Sequence, residues 1–267
     1  MPHHLHGRHE NGQNFLADQA VVRAVVDLVA ATHGPILEIG PGGGALTQPL
    51  LQLQRPLTAV EIDPPLARAL SRRLPAVDVV TGDFLRYRLP GTPHVLVGNL
   101  PFSCTTAMLR HVLPAPGWTD AVLVVQWEVA RRRAGVGGAT LMTAQWAPWF
   151  TFGLRARVPA DAFRPRPSVD GGLLVVRRRT DPLLPASERS AFHGFTQRVF
   201  TGPGRGLGEI LTRAGAFDSM QQARTWLRAH GVSPGDLPRA LSAQHWVDLF
   251  RASGTSPPRP ARRSRRR

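Results

Sequence analysis

The sequence predicts an α/β fold: a mostly parallel sheet with helices on both faces, then a small helical domain. Three observations predict it. Short apolar runs alternate with helical stretches to about residue 178, as in a parallel sheet crossed by helices. The first of these runs, Pro35 to Ile39, feeds a glycine-rich turn, Gly40 to Gly44, the start of a nucleotide-binding sheet in which a ligand approaches the backbone. Beyond Asp181-Pro182 and Leu184-Pro185 the apolar spacings of Phe192, Phe195, Val199 and Phe200, of Ala223, Trp226 and Leu227, and of Trp246, Leu249 and Phe250 are helical.

Taken in order, Asp18 is placed to cap a helix with Val21, Val22, Val25, Val26 and Val29 at helical spacing, ending near His33-Gly34. Strand 35–39 and the glycine turn lead to a helix from near Ala45. A second strand, Leu57 to Val60, runs into Glu61-Ile62-Asp63, which sets a carboxylate where a ribose diol lies in dinucleotide folds. Arg68 to Arg73 continue as a helix, and a third strand, Val77 to Val80, ends in Gly82-Asp83-Phe84. An adenine needs an acceptor for its amine and an apolar face for its ring, and Asp83 with Phe84 offers both. The plainer alternatives are a capping or turn aspartate at 83 and a surface acid at 61.

Val95 to Val97 deliver Gly98-Asn99-Leu100-Pro101-Phe102. A buried strand ending this way presents an amide, a carbonyl and an aromatic face together. Pro101 fixes its own φ and keeps the Leu100 carbonyl outside any ladder. Read alone, the tetrapeptide is equally a tight strand-to-helix turn with a buried Phe. Thr105 to Leu113 is a helix, Ala121 to Gln126 a strand, Gly137 to Trp149 an amphipathic helix, and Phe152 to Val158 a strand. Phe163-Arg164-Pro165-Arg166-Pro167-Ser168-Val169 is a rigid, basic connector to a last strand, Gly171 to Val176. With no helix between the closing two strands, one antiparallel edge strand is expected.

Composition narrows the function classes. In 267 residues, 42% hydrophobic, there is one cysteine, Cys104, which excludes a disulfide framework and a Cys-based zinc site. No apolar stretch reaches membrane-spanning length and the first ten residues lack a signal-type apolar core, so a soluble cytoplasmic protein is expected. The net charge is +15 and every basic residue is Arg. That field favours a polyanion, nucleic acid being the commonest. His3, His4, His6 and His9 have no metal-ligand spacing around them and read as a solvated tail; no metal site is expected.

Assembled, these residues resemble the Erm family, bacterial 23S rRNA adenine N6-methyltransferases that confer resistance to macrolide, lincosamide and streptogramin B antibiotics. The resemblance runs from about Gly12 to Arg178. It rests on Gln13-Asn14-Phe15-Leu16, Glu38-Ile39-Gly40-Pro41-Gly42-Gly43-Gly44, Glu61, Gly82-Asp83-Phe84, Asn99-Leu100-Pro101-Phe102 and Phe163-x-Pro165-x-Pro167-x-Val169. Val125 to Arg131 and Thr143 to Phe150 favour the Erm branch over the small-subunit rRNA adenine dimethyltransferases of ribosome maturation. Phe102 stands where many relatives have Tyr, and the helical C-terminal part matches only loosely.

The resemblance implies a Rossmann-like class I methyltransferase sheet and S-adenosylmethionine as cofactor. Gln13, Asn14, Leu16, Glu38, Gly40, Gly42, Glu61, Ile62, Asp83, Phe84 and Asn99 would form its site. Asn99, Leu100, Pro101 and Phe102 would form the acceptor end, and Phe102, Phe163, Arg164 and Arg166 would meet the target base and its RNA. The partner implied is 23S rRNA, through an unpaired loop adenine reached before ribosome assembly is complete, by a monomer that binds no membrane. The domains expected are a flexible tail at 1–12, the methyltransferase domain at 13–179, a helical RNA-binding domain at 180–252 and a disordered Arg/Pro-rich tail at 253–267. Competing readings are a cytosine C5-methyltransferase using Cys104, a non-catalytic RNA-binding descendant, and a nicotinamide dehydrogenase. The first usually places Cys directly after Pro, the second predicts a degraded cofactor pocket, and the third leaves Asn14 and the Asn99 turn without a role.

Overall fold

A computed structural model describes residues 14–254. Gln13, the tail at 1–12 and the Arg/Pro-rich stretch from 255 onward lie outside the described residues. In chain order the elements are β1 (Phe15–Leu16), α1 (Gln19–Ala30), β2 (Ile36–Ile39), α2 (Thr47–Leu51), β3 (Leu57–Glu61), α3 (Pro64–Arg73), β4 (Asp78–Thr81), β5 (His94–Asn99) and α4 (Thr105–Val112). There follow β6 (Trp118–Gln126), α5 (Trp127–Arg133), α6 (Leu141–Trp146), β7 (Phe150–Val158), β8 (Phe163–Arg164), β9 (Gly171–Arg178), α7 (Arg189–Phe200), α8 (Leu207–Arg213), α9 (Met220–Ala229) and α10 (Ala243–Ala252).

Seven strands form one mixed sheet in the order β4-β3-β2-β5-β6-β9-β7. The pairs β3/β4, β2/β3, β2/β5 and β5/β6 are parallel, and β6/β9 is antiparallel. The antiparallel strand expected at the edge is β9, and it lies one place in, with β7 outermost. Burial explains the exchange. Residues 171–176 of β9 are buried, whereas β7 carries exposed Arg155 and Arg157 and tolerates the edge. Val22, Val25 and Val29 of α1 pack in one core with Val95 and Val97 of β5 and Val122 and Val124 of β6. The intervening Leu96 and Leu123 are equally buried, so both faces of the central strands are covered.

Local signals set several boundaries. The Asp18 carboxylate caps α1, accepting from the Ala20 and Val21 amides at 2.7 and 3.2 Å. The helix stops at Ala30, short of His33, because Thr32 and Arg55 take up the Val29 carbonyl at 2.6 and 2.9 Å. The helix expected over 137–149 is reduced to α6. Gly135, Gly137 and Gly138 all have positive φ, which the αR conformation does not allow, so the helix starts only at the Thr140 cap. The helix α5, begun directly at the end of β6, is absent from the sequence-based reading, as is α8.

The described residues form two compact units, 14–136 with 151–178, and 137–150 with 179–254. Residues 137–150, expected within the first domain, thus belong to the second unit. There Trp146 packs edge-on against His193 of α7, centroids 4.8 Å apart. Phe192 and Phe195 of α7 meet Phe250 of α10 at 5.4 and 5.5 Å. The predicted helical spacings around Phe192, Leu227 and Trp246 are realised as α7, α9 and α10, although Trp226 is only half-buried and stacks on His230 at 3.9 Å. Among the described residues no helix is long and apolar enough to cross a membrane.

Candidate active site

In the first unit the carboxyl ends of β2, β3, β4 and β5 bring together the glycine turn, Glu61, Asp83 and Asn99, where a doubly wound sheet binds its ligands. Two cavities open there. One, of about 590 Å³, is lined by Asn14, Glu61, Ile62, Asp83 and the Asn99 to Cys104 segment. The other, of about 640 Å³, is lined by Leu16, Glu38 and the 43–46 turn. Phe15, Gly40 and Asn99 border both.

The entry segment is fixed by the connector that follows β7. β1 pairs antiparallel with β8, Phe15 opposite Arg164 and Leu16 opposite Phe163, and the Ala17 amide donates to the Ala162 carbonyl at 2.7 Å. Strand alternation turns Leu16 into the core and leaves Phe15 37% exposed over the glycine turn. Gly42 has φ +52°, and a Cβ there would run into the Phe15 ring. Phe15 is thus a wall of both cavities that sequence reasoning missed, although it stands between two residues it singled out.

Glu61 is buried and joins β3 to the glycine turn: its Oε2 accepts from the Gly42 amide at 2.8 Å and its Oε1 from the Asp63 amide at 2.9 Å. Each oxygen retains acceptor capacity toward the cavity. Glu38 differs. It is 1% exposed, and its Oε2 has no hydrogen-bond partner among the described residues. Burial pushes its carboxyl up to about 8; the Thr47 hydroxyl nearby pulls the other way without completing a hydrogen bond, and the Glu61 carboxylate adds to the rise.

Asp83 combines both readings of it. Its Oδ1 caps the short turn at 84–86, accepting from the Leu85 amide at 2.9 Å, and the side chain borders the first cavity. Phe84 is buried, packed edge-on against His111 at 5.5 Å and stacked on Tyr87. It backs the cavity wall, and the apolar surface open to a ring is Ile62, 51% exposed.

At the end of β5 the Asn99 Nδ2 donates to the Asn14 carbonyl at 2.7 Å. That contact uses one of the two amide N–H groups and orients the amide, whose oxygen has no donor among the described residues. The Leu100 amide donates to the Val124 carbonyl at 2.9 Å, while the Leu100 carbonyl has no partner among the described residues. The Pro101 carbonyl is occupied by the Cys104 amide and the Thr105 hydroxyl, both at 3.2 Å, so the turn is locked around Pro101. Phe102, half-buried, meets Phe163 edge-on, centroids 5.9 Å apart and planes at 80°.

One of the residues assigned to RNA needs correction, and two others lie outside both cavities. Phe163 is 0% exposed, so no base can reach it; it supports Phe102 from behind. Arg164 and Arg166 border neither cavity. Arg164 folds back onto the carbonyls of Asp161 and Phe163, and Arg166 pairs with Asp161 at 2.8 Å. The Cys104 thiol is pushed up by burial and donates to the Pro101 carbonyl at 3.6 Å, the opposite of an activated nucleophile.

A sequence model described as ribosomal RNA adenine dimethylase matches residues 4–253. An rRNA adenine N-6-methyltransferase of Corynebacterium diphtheriae is 58% identical over 219 residues, 81% of this chain and 87% of that protein. The mycinamicin-resistance protein MyrB of Micromonospora griseorubida is 46% identical over 258 residues, 96% of this chain and 82% of that protein. The crystal structure of the 23S rRNA methyltransferase ErmE superposes with a TM-score of 0.81 at 32% identity, covering 90% of this chain and 99% of that one. With its glycine turn, strand-end acids and Asn-Leu-Pro-Phe turn arranged as described, the chain belongs to the ribosomal RNA adenine dimethylase family, together with its Erm-type members.

Proposed function

We propose that this protein methylates the exocyclic N6 of an unpaired adenine in 23S rRNA, using S-adenosylmethionine, and thereby protects ribosomes against macrolide-type antibiotics. The observation that carries the reading is the Asn99 amide. One of its two N–H groups is given to Asn14, and among the described residues its oxygen has no donor, beside the Leu100 carbonyl and Phe102. Two acceptors and one ring face are what an adenine amino group requires.

The residues present fit the cofactor. The Glu38 Oε2 is a buried carboxyl oxygen with no donor among the described residues, suited to the ammonium of an amino acid. Glu61 would take the ribose hydroxyls, and Asp83 with Ile62 the adenine. When bound, S-adenosylmethionine supplies an electrophilic methyl group. Asn99 Oδ1 and the Leu100 oxygen hold the two N–H groups of the target amine, which favours a nitrogen whose lone pair points into the cavity. Pro101 keeps the Leu100 carbonyl in that direction, and Phe102, braced by Phe163, supports the ring. Fixing the amine turns a two-body encounter into a local one, an effect worth up to roughly 7 to 11 kcal/mol. No general base is needed, because the amine N–H becomes acidic only as the nitrogen gains charge, and its proton then passes to solvent water.

The target must leave its stack to enter the cavity, which costs least for a loop adenine in RNA not yet covered by ribosomal proteins. The second unit and the arginine-rich C-terminal stretch would add phosphate contacts, consistent with the +15 charge. The protein would act as a cytoplasmic monomer. Expression in a macrolide-sensitive bacterium tests the reading: resistance, with one N6-methylated adenine in 23S rRNA by primer extension and mass spectrometry, is expected. Methylation confined to 16S rRNA, or an unmodified ribosome, refutes it.

A further inference from the structure

Arg73 stands in the last turn of α3, where a cation ordinarily complements the helix dipole and faces solvent. Here its guanidinium turns back to the glycine turn and donates Nη2 to the Gly43 carbonyl at 2.6 Å. Space is kept for it by Gly44, whose φ is +81° and whose missing Cβ would meet Nη2 and Leu70. Among the described residues no carboxylate lies within ion-pair distance of Arg73. It borders the 640 Å³ cavity that Glu38 also borders, and the Glu38 Oε2 there is buried without a partner.

One cavity therefore offers an unpaired carboxyl and a guanidinium with donors to spare. These are the complements of the two charges of an α-amino acid. We infer that Arg73 is the specificity residue for the α-carboxylate at the amino-acid end of the cofactor, opposite Glu38, which takes the ammonium. The inference rests on the S-adenosylmethionine reading above. A guanidinium fork suits a carboxylate better than a point charge does, and its tie to Gly43 holds the fork at the turn without using its other donors.

The competing role is structural: Arg73 staples α3 to the glycine turn and touches no ligand. A matched pair of ligands separates the two, S-adenosylmethionine and its decarboxylated analogue, which keeps the ammonium and loses only the carboxylate. Calorimetric dissociation constants for both are measured on the wild type, Arg73→Gln and Arg73→Lys. The wild type should prefer S-adenosylmethionine by about threefold to fivefold, the size of one exposed charged contact. Arg73→Gln should bring the ratio near one by weakening S-adenosylmethionine alone, and Arg73→Lys should restore part of it. Equal weakening of both ligands in Arg73→Gln, or an unchanged ratio, overturns the assignment. A wild type that binds neither ligand overturns the cofactor reading as well.

Discussion

Glu38 makes the site's occupancy depend on a proton. Its carboxyl, raised to about 8 by burial first and by Glu61 as a lesser contribution, is about nine-tenths protonated at pH 7 in the free protein. If it faces the ammonium of the ligand, it must be ionised in the complex, so binding at pH 7 should release close to one proton, roughly 0.9. Between pH 6 and 7 the dissociation constant should then fall about tenfold, 1.4 kcal/mol per unit. S-adenosylhomocysteine is the suitable ligand, because no methyl transfer accompanies its binding. Calorimetric titration in phosphate and in Tris at one pH gives the proton count from the difference in enthalpy. Glu38→Gln should abolish the count and the pH slope. Equal enthalpies in the two buffers, with an affinity flat from pH 6 to 7.5, would refute the assignment of Glu38 to the cation. The free protein offers a second readout. The folded carboxyl holds its proton to about pH 8, against 4.5 for the ordinary group, so the folded state binds more protons between those values. That contribution to stability is complete below the lower value and lost as pH rises through the upper one, on the order of 5 kcal/mol at most. Glu38→Gln should flatten that part of the profile.

Asn99→Ala should leave calorimetric cofactor binding within a few-fold of wild type and remove methyl transfer to rRNA; near-normal tritium transfer would end the acceptor role. Phe102→Ala loses a base contact of about 1 to 3 kcal/mol as well as its edge-to-face contact with Phe163, so it should raise the RNA KM and lower Tm, while Phe102→Tyr changes both only mildly. Normal RNA binding by Phe102→Ala would show that the ring supports no base. Gly42→Ala puts a Cβ into the Phe15 ring at φ +52°. It should cost about 1 to 2 kcal/mol of stability from the backbone alone and weaken cofactor affinity; an unchanged Tm and affinity would mean that neither the turn nor Phe15 is constrained.

How much of this was legible in the sequence follows from where each kind of information resides. The strands β2, β3, β5 and β6 are short apolar runs that have no other stable use, so the sheet could be read from period and punctuation. The ends of α5 and α6 could not, because β6 passes into α5 with no intervening loop or Gly/Pro signal and three glycines, not an apolar period, decide where α6 begins. Residue type chose the site residues, and the fold brings Glu38, Glu61, Asp83 and Asn99 to adjacent strand ends. What stayed hidden was the partner of each group. Phe163 has the composition of an RNA contact, but its place opposite Leu16 in a two-residue ladder buries it. Asn99 has two hydrogen-bonding ends, and only the approach of the Asn14 carbonyl, 85 positions away, fixes which one faces the cavity. Local chemistry therefore narrows the candidates, and long-range pairing decides which of them act. The acceptor turn works because the Asn14 and Val124 carbonyls take one Asn99 amide N–H and the Leu100 N–H, leaving the Asn99 and Leu100 oxygens open to an amine.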